Sequence, residues 1–146
     1  MEFPNNLHYE VTSRWNNETG GAVNTGEYLV EFDTPIEFDG KGKAPCPDHL
    51  FLASIIGCLM NTFLSFKRRF KAETRDLKIF AEMNIQNHVQ EGYKIDEINV
   101  KLEVVTSKDQ ILFNRKCAEL ARDYCHITRS IQGSIPIRFE IELVKV

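Results

Sequence analysis

Four cysteines, Cys46, Cys58, Cys117 and Cys125, with His49 and His126 beside two of them, are the side chains of this sequence best suited to redox or metal chemistry. Cys58 lies within an apolar run, and at 100° per residue it shares its helix face with Ser54, Asn61, Thr62 and Ser65. That face reads either as a polar stripe around a reactive thiol or as a small-residue packing seam, since unpaired cysteine is among the most buried residue types. A reactive thiol needs a lowered pKa, and Cys58 is too far into its helix for the N-terminal dipole to supply it. A cation from another element must do so, and Arg14 and Arg129 are the candidates.

Cys125 ends the apolar face of a second helix, and His126 next to it could tune a thiol or ligate a metal. On a continuous helix such neighbours point about 100° apart, which weakens the case for a direct pair. Cys46 and His49 form a C-x-x-H spacing that, with Cys125 and His126, could supply four zinc ligands, although structural zinc sites usually combine two close-spaced knuckles. Cys117 falls about 80° off the buried face of its helix and receives no role. His8 and His88 read as solvated side chains. The DGKGK stretch, residues 39–43, lacks the phosphate-binding arrangement G-x-x-x-x-G-K-[ST] and reads as a loop.

The elements that must position these groups are set by hydrophobic periodicity. Residues 7–15 and the Tyr28, Val30, Phe32 segment alternate with period 2, predicting two strands, each with one buried face, joined by a long loop over residues 16–27. From Pro47 to Phe70 apolar residues cover most of a helix circumference, with Asp48 at the positive end of its dipole and Lys67, Arg68 and Arg69 at the negative end. Leu77 to Ile85 and Ile98 to Val104 alternate again on either side of a turn at residues 87–92, with a bulge expected near Asp96. Ser107 and Gln110 give a capping-box signal for a helix whose face holds Ile111, Ala118, Ala121 and Cys125. Ile135 to Leu143 closes the chain as a last strand. The predicted order is ββ-α-ββ-α-β, an α+β domain.

With 146 residues, 42% of them hydrophobic and 27% charged, the chain fits one domain, 1–146, and excludes disordered and fibrous classes. A formal charge of -3 provides no basic surplus for nucleic acid. The start, MEFPNNLHYE, lacks the pattern of an export leader, and the most apolar run, residues 50–60, is shorter than the roughly 20 residues of a membrane span. A cytoplasmic protein without membrane partners is expected, and in that setting four cysteines favour buried thiols, a metal site or redox chemistry over a disulfide framework.

Three features resemble the OsmC/Ohr family of osmotically inducible and organic-hydroperoxide-resistance proteins: DTPIEFDGKGKAPCPDHLFLASIIGC, ARDYCHITRSIQGSIPI, and the element order linking them. The most specific feature is a cysteine midway along the long helix, preceded by P-[ED]-x-L, with a second cysteine near the end of the later helix. The resemblance implies an OsmC-like fold with antiparallel sheets around a long buried central helix, in an intertwined homodimer. It implies that Cys58 is peroxidatic and Cys125 resolving, that the substrate is an organic hydroperoxide, and that an external dithiol reductant restores the thiols. No cofactor and no metal are implied. In the hydroperoxide-reductase branch an arginine of the first hairpin loop, held by a glutamate at the start of the central helix, activates the thiolate. Here those positions carry Glu18 and Asp48, and Arg14, four residues earlier, is the candidate substitute cation. His126 stands where a proline more often comes after the second cysteine. The alternative reading is a catalytically inactive OsmC-fold protein that binds an apolar small molecule in the dimer crevice, which the charge reversal at Glu18 favours.

Overall fold

Pro47 opens and the basic triplet Lys67, Arg68 and Arg69 closes a 24-residue helix, α1 (Pro47–Phe70), with the bounds its periodicity and end charges predict. The structure, a computed structural model, describes residues 3–146. Residues 1 and 2, which open the stretch read for a leader, lie outside the described residues. The chain forms two compact units, one ending at Phe51 and the other spanning Leu52–Val146.

The first unit is an antiparallel sheet of three strands in the order β1 (Thr12–Trp15), β2 (Gly20–Asn24) and β3 (Leu29–Asp33). It corrects two expectations. Of the strand predicted over residues 7–15 only the last four residues pair, and they are exposed throughout. The predicted loop over residues 16–27 contains β2. Its glycines read as a turn, yet they sit in the strand because the neighbouring chain lies too close for a side chain: a Cβ at Gly20 would fall 2.2 Å from the Phe32 carbonyl oxygen. The turns are at its two ends, where the Asn16 carboxamide accepts from the Glu18 and Gly20 amides at 2.8 and 3.2 Å and Gly26 adopts φ 100°.

The second unit holds β4 (Asp76–His88), antiparallel to β5 (Gly92–Thr106), and β6 (Ile137–Lys145), parallel to β5. The sheet is therefore mixed, which corrects the expectation of antiparallel sheets throughout. After β5 the chain runs through α2 (Ile111–Tyr124) and α3 (His126–Ile131), a crossover long enough to bring the last strand back in the same direction. The expected bulge is present: Asn84 faces Glu97 and Ile85 faces Ile95, so Asp96 is the extra residue, and its carboxylate lies 2.8 Å from His88 Nε2.

The core of this unit consists of Ile55, Leu59 and Phe63 of α1, Ile98, Val100, Leu102 and Val104 of β5, and Cys117, Ala118 and Ala121 of α2. Cys117 is fully buried, contrary to its expected place off the packed face. Ser107 makes no capping bond to the helix backbone, and the Gln110 carboxamide instead accepts from the Glu73 amide at 3.1 Å. Asn114, also fully buried, donates to the Glu73 carbonyl at 2.7 Å and to Thr106 Oγ1 at 2.8 Å, and accepts from Thr74 Oγ1 at 2.5 Å. Burying an amide is tolerable only with such complete pairing. The expectation of a helix buried on most faces is also corrected. Only Ile55, Cys58, Leu59 and Phe63 of α1 are buried, a single stripe at spacings of three and four, while Ile56, Met60 and Leu64 are half-buried. By length and composition alone α1 could cross a membrane.

Candidate functional site

Cys58 sits on the buried stripe of α1 and is 8% exposed; Cys125, at the junction of α2 and α3, is fully buried. Sixty-seven residues apart in sequence, the two thiols meet within hydrogen-bonding reach. What brings them together is the break between the later helices. Cys125 leaves helical geometry, with φ -63° and ψ 111°, and its carbonyl accepts from the Arg129 amide at 3.0 Å and from Thr128 Oγ1 at 3.2 Å as α3 begins. The chain thereby turns its first α3 backbone amides toward the Cys58 sulfur.

His126 takes part in the same turn. Its Nδ1 lies 3.5 Å from Cys58 Sγ, so the histidine next to Cys125 in sequence faces the other cysteine. The expectation that a helix would set these neighbours about 100° apart assumed one continuous helix, and the extended backbone at Cys125 removes that assumption. In the sequence, the only sign of this contact is a histidine directly after the second cysteine.

Opposing effects act on the Cys58 thiol. Burial is the largest, and with the neighbouring Cys125 thiol it pushes the pKa above the usual cysteine value. The backbone N–H groups of Ile127 and His126 act the other way by favouring the thiolate. Cys117 is pushed upward by its burial, with a small opposing effect from Lys67. Its thiol packs in the core and plays no part in this site.

The remaining predicted residues lie elsewhere. Arg129, one of the two candidate cations, stacks its guanidinium 6.0 Å from the Tyr124 ring centroid. Arg14 lies on β1 and lines a cavity of about 370 Å³ with Trp15, Glu18, Glu31 and Lys43. Asp48 occupies the first turn of α1. Glu18 is paired with Lys41 and Lys43, at 2.9 Å in each case, and these lysines hold its carboxyl below the usual range. That arrangement was not foreseen from the sequence: the DGKGK loop supplies two cations to the acidic residue. Asp33 fixes the loop from beneath, accepting from Thr19 Oγ1 at 2.6 Å and from the Thr34 and Lys43 amides at 2.8 and 2.9 Å, and these bonds lower its pKa. Of the four proposed zinc ligands, Cys46 and His49 pair at 3.2 Å, Sγ to Nδ1. Among the described residues no group of three or more His, Cys, Asp or Glu side chains is arranged to hold a metal.

Residues 40–140 match the family described as OsmC-like protein. The chain is 27% identical over 138 residues to the uncharacterised protein YmaD of Bacillus subtilis, covering 91% of this chain and 92% of the relative. It is 21% identical over 140 residues to the organic hydroperoxide resistance protein-like protein of Staphylococcus aureus, covering 94% and 98%. The crystal structure of an OsmC-like protein from Mycoplasma pneumoniae superposes with a TM-score of 0.79 at 17% identity, over 94% of this chain and 98% of that one.

Proposed function

The chain belongs to the OsmC-like protein family, and on that premise we propose that it is a thiol-dependent peroxidase that reduces organic hydroperoxides in peroxide-stress defence. The observation that carries this reading is the meeting of Cys58 and Cys125 across α1 and the α2–α3 junction. In the proposed cycle the Cys58 thiolate attacks the terminal oxygen of the hydroperoxide, the O–O bond breaks, the alkoxide leaves, and Cys58 becomes a sulfenic acid. The Cys125 thiol then attacks that sulfur, water leaves, and a Cys58–Cys125 disulfide remains. An external dithiol reduces it by two exchange steps and is itself oxidised to a disulfide. The apolar run of α1 around Cys58 favours hydroperoxides with a hydrocarbon body over hydrogen peroxide.

A homodimer belongs to the same reading. The half-buried Ile56, Met60 and Leu64 of α1 and the exposed Tyr9, Val11, Trp15 and Leu29 of the first unit are apolar area that a second copy would cover. The proposed site of action is the cytoplasm. Arg14 and Asp48 enter the proposal as the charged residues that family resemblance implies for thiolate activation.

Consumption of cumene hydroperoxide with dithiothreitol tests the proposal. Turnover is expected for the wild type and is lost in Cys58→Ser, and Arg14→Ala and Asp48→Ala test whether those residues take part. No turnover by folded, fully reduced wild-type protein would leave the second reading, an inactive member that binds an apolar small molecule. The upward push on the Cys58 pKa from burial is the observation on its side.

A further inference from the structure

We propose that His126 is the base of the thiol site: its Nδ1, 3.5 Å from Cys58 Sγ, takes the thiol proton and leaves a thiolate–imidazolium pair. Deprotonation itself is independent of the peroxidase reading, and only the later steps rest on it. In those steps the thiolate attacks the hydroperoxide, the O–O bond breaks, and the imidazolium returns its proton to the departing alkoxide. Thiol plus hydroperoxide thus yields sulfenic acid plus alcohol, with His126 neutral again.

Three observations support this assignment. Cys58 is buried, and a buried thiol does not ionise readily without a proton acceptor in contact with it. Among the described residues Cys125 and His126 bring titratable side chains to Cys58, and a second thiol raises its pKa, so the imidazole is the only one of the two that can hold a positive charge. The Arg129 guanidinium is engaged over Tyr124. Finally, the geometry suits proton transfer. His126 starts α3, is exposed on its outer side, and sends its Nδ1 to the sulfur while the amides of His126 and Ile127 favour the same thiolate. With this residue at the site, activation of Cys58 does not depend on the arginine that Glu18 replaces.

The test reads the thiolate directly. Thiolate absorbance near 240 nm is monitored from pH 5 to pH 10 as the difference between wild type and Cys58→Ser, and again between His126→Asn and the His126→Asn, Cys58→Ser double variant. The signal needs no reagent to reach the buried sulfur and no peroxide. His126 is exposed, so its replacement leaves the core intact. In His126→Asn the midpoint of the Cys58 signal is expected to rise by at least about one pH unit from its wild-type position, equivalent to a tenfold loss of thiolate at any pH below it. His49→Asn should leave the profile where it is. An unchanged midpoint in His126→Asn overturns the proposal. If the midpoint shifts while no hydroperoxide is consumed, the ion pair stands and the peroxidase reading falls. If His126→Asn consumes hydroperoxide like the wild type with an unshifted profile, the peroxidase reading stands and the base is elsewhere.

Discussion

Two cysteines of this chain have an imidazole nitrogen beside their sulfur, Cys46 with His49 at 3.2 Å and Cys58 with His126 at 3.5 Å. The first pair is three residues apart, and the opening turn of α1 is enough to make it, because positions three and four apart on a helix are neighbours. The second pair is 68 residues apart and exists only because α1, the end of α2 and the start of α3 converge. Cys46 is half-exposed, whereas Cys58 is buried and has a second thiol against it. A short Cys–His spacing is thus a cheap consequence of helix geometry, while the functional candidate is the pair that the whole unit must fold to create.

Mapping the oxidised cysteines distinguishes the two pairs with the largest effect. One equivalent of cumene hydroperoxide is expected to produce a single disulfide, Cys58–Cys125, with Cys46 and Cys117 recovered as thiols, and Cys58→Ser should remove it completely. A disulfide or sulfenic acid at Cys46 would show that the local pair is the reactive one. Cys125→Ser sharpens the contrast further. Its Cys58 sulfenic acid has no resolving partner, so repeated peroxide doses should carry Cys58 to the sulfinic level, seen as a gain of two oxygens by mass spectrometry.

A smaller effect is expected from loosening the unit that builds the distant pair. Asn114→Ala removes the amide that satisfies Thr106, Thr74 and the Glu73 carbonyl, and leaving buried groups unpaired should lower stability by about 1–3 kcal/mol in urea unfolding. Peroxide-driven disulfide formation should become less selective in that variant. Unchanged stability would mean that water enters to replace the amide.

Much of this architecture is legible in the sequence, for reasons specific to each element. The bounds of α1 come from Pro47 and the terminal arginines, and the bulge at Asp96 comes from the phase slip between Ile95 and Ile98. The two central cysteines are legible as candidates because each falls on the apolar face of a helix predicted from the sequence. What the sequence conceals is contact across distance. Gly20 and Gly21 look like a turn until the neighbouring strands are seen to leave no room for side chains. The parallel pairing of β6 depends on where α2 and α3 return the chain. The facing of His126 and Cys58 depends on one extended residue, Cys125, in what local pattern presents as an unbroken helix.

The last contrast is one of pH. In the first unit the groups that hold structure are carboxylates: Asp33 accepts from Thr19, Thr34 and Lys43, and Glu18 pairs with Lys41 and Lys43, each with its pKa held below the usual value. A carboxyl group depressed in the folded state adds stability that is present above its unfolded pKa and is lost as the pH falls through the folded one. This part of the molecule should therefore loosen only below about pH 4, the ordinary carboxylate range. Trp15, the single tryptophan, reports on it, since its indole N–H donates to the Glu18 carbonyl at 2.9 Å. Its fluorescence is expected to stay level from pH 8 to pH 5 and to change in more acidic solution, while the Cys58 thiolate signal changes at higher pH. In Asp33→Asn the Trp15 signal should already be altered at pH 7, because the charged acceptor for the Lys43 and Thr34 amides is gone. A tryptophan transition that instead tracks the thiolate signal would mean that one titration governs both regions, and that the separation of a structural acid network from a reactive thiol pair does not hold.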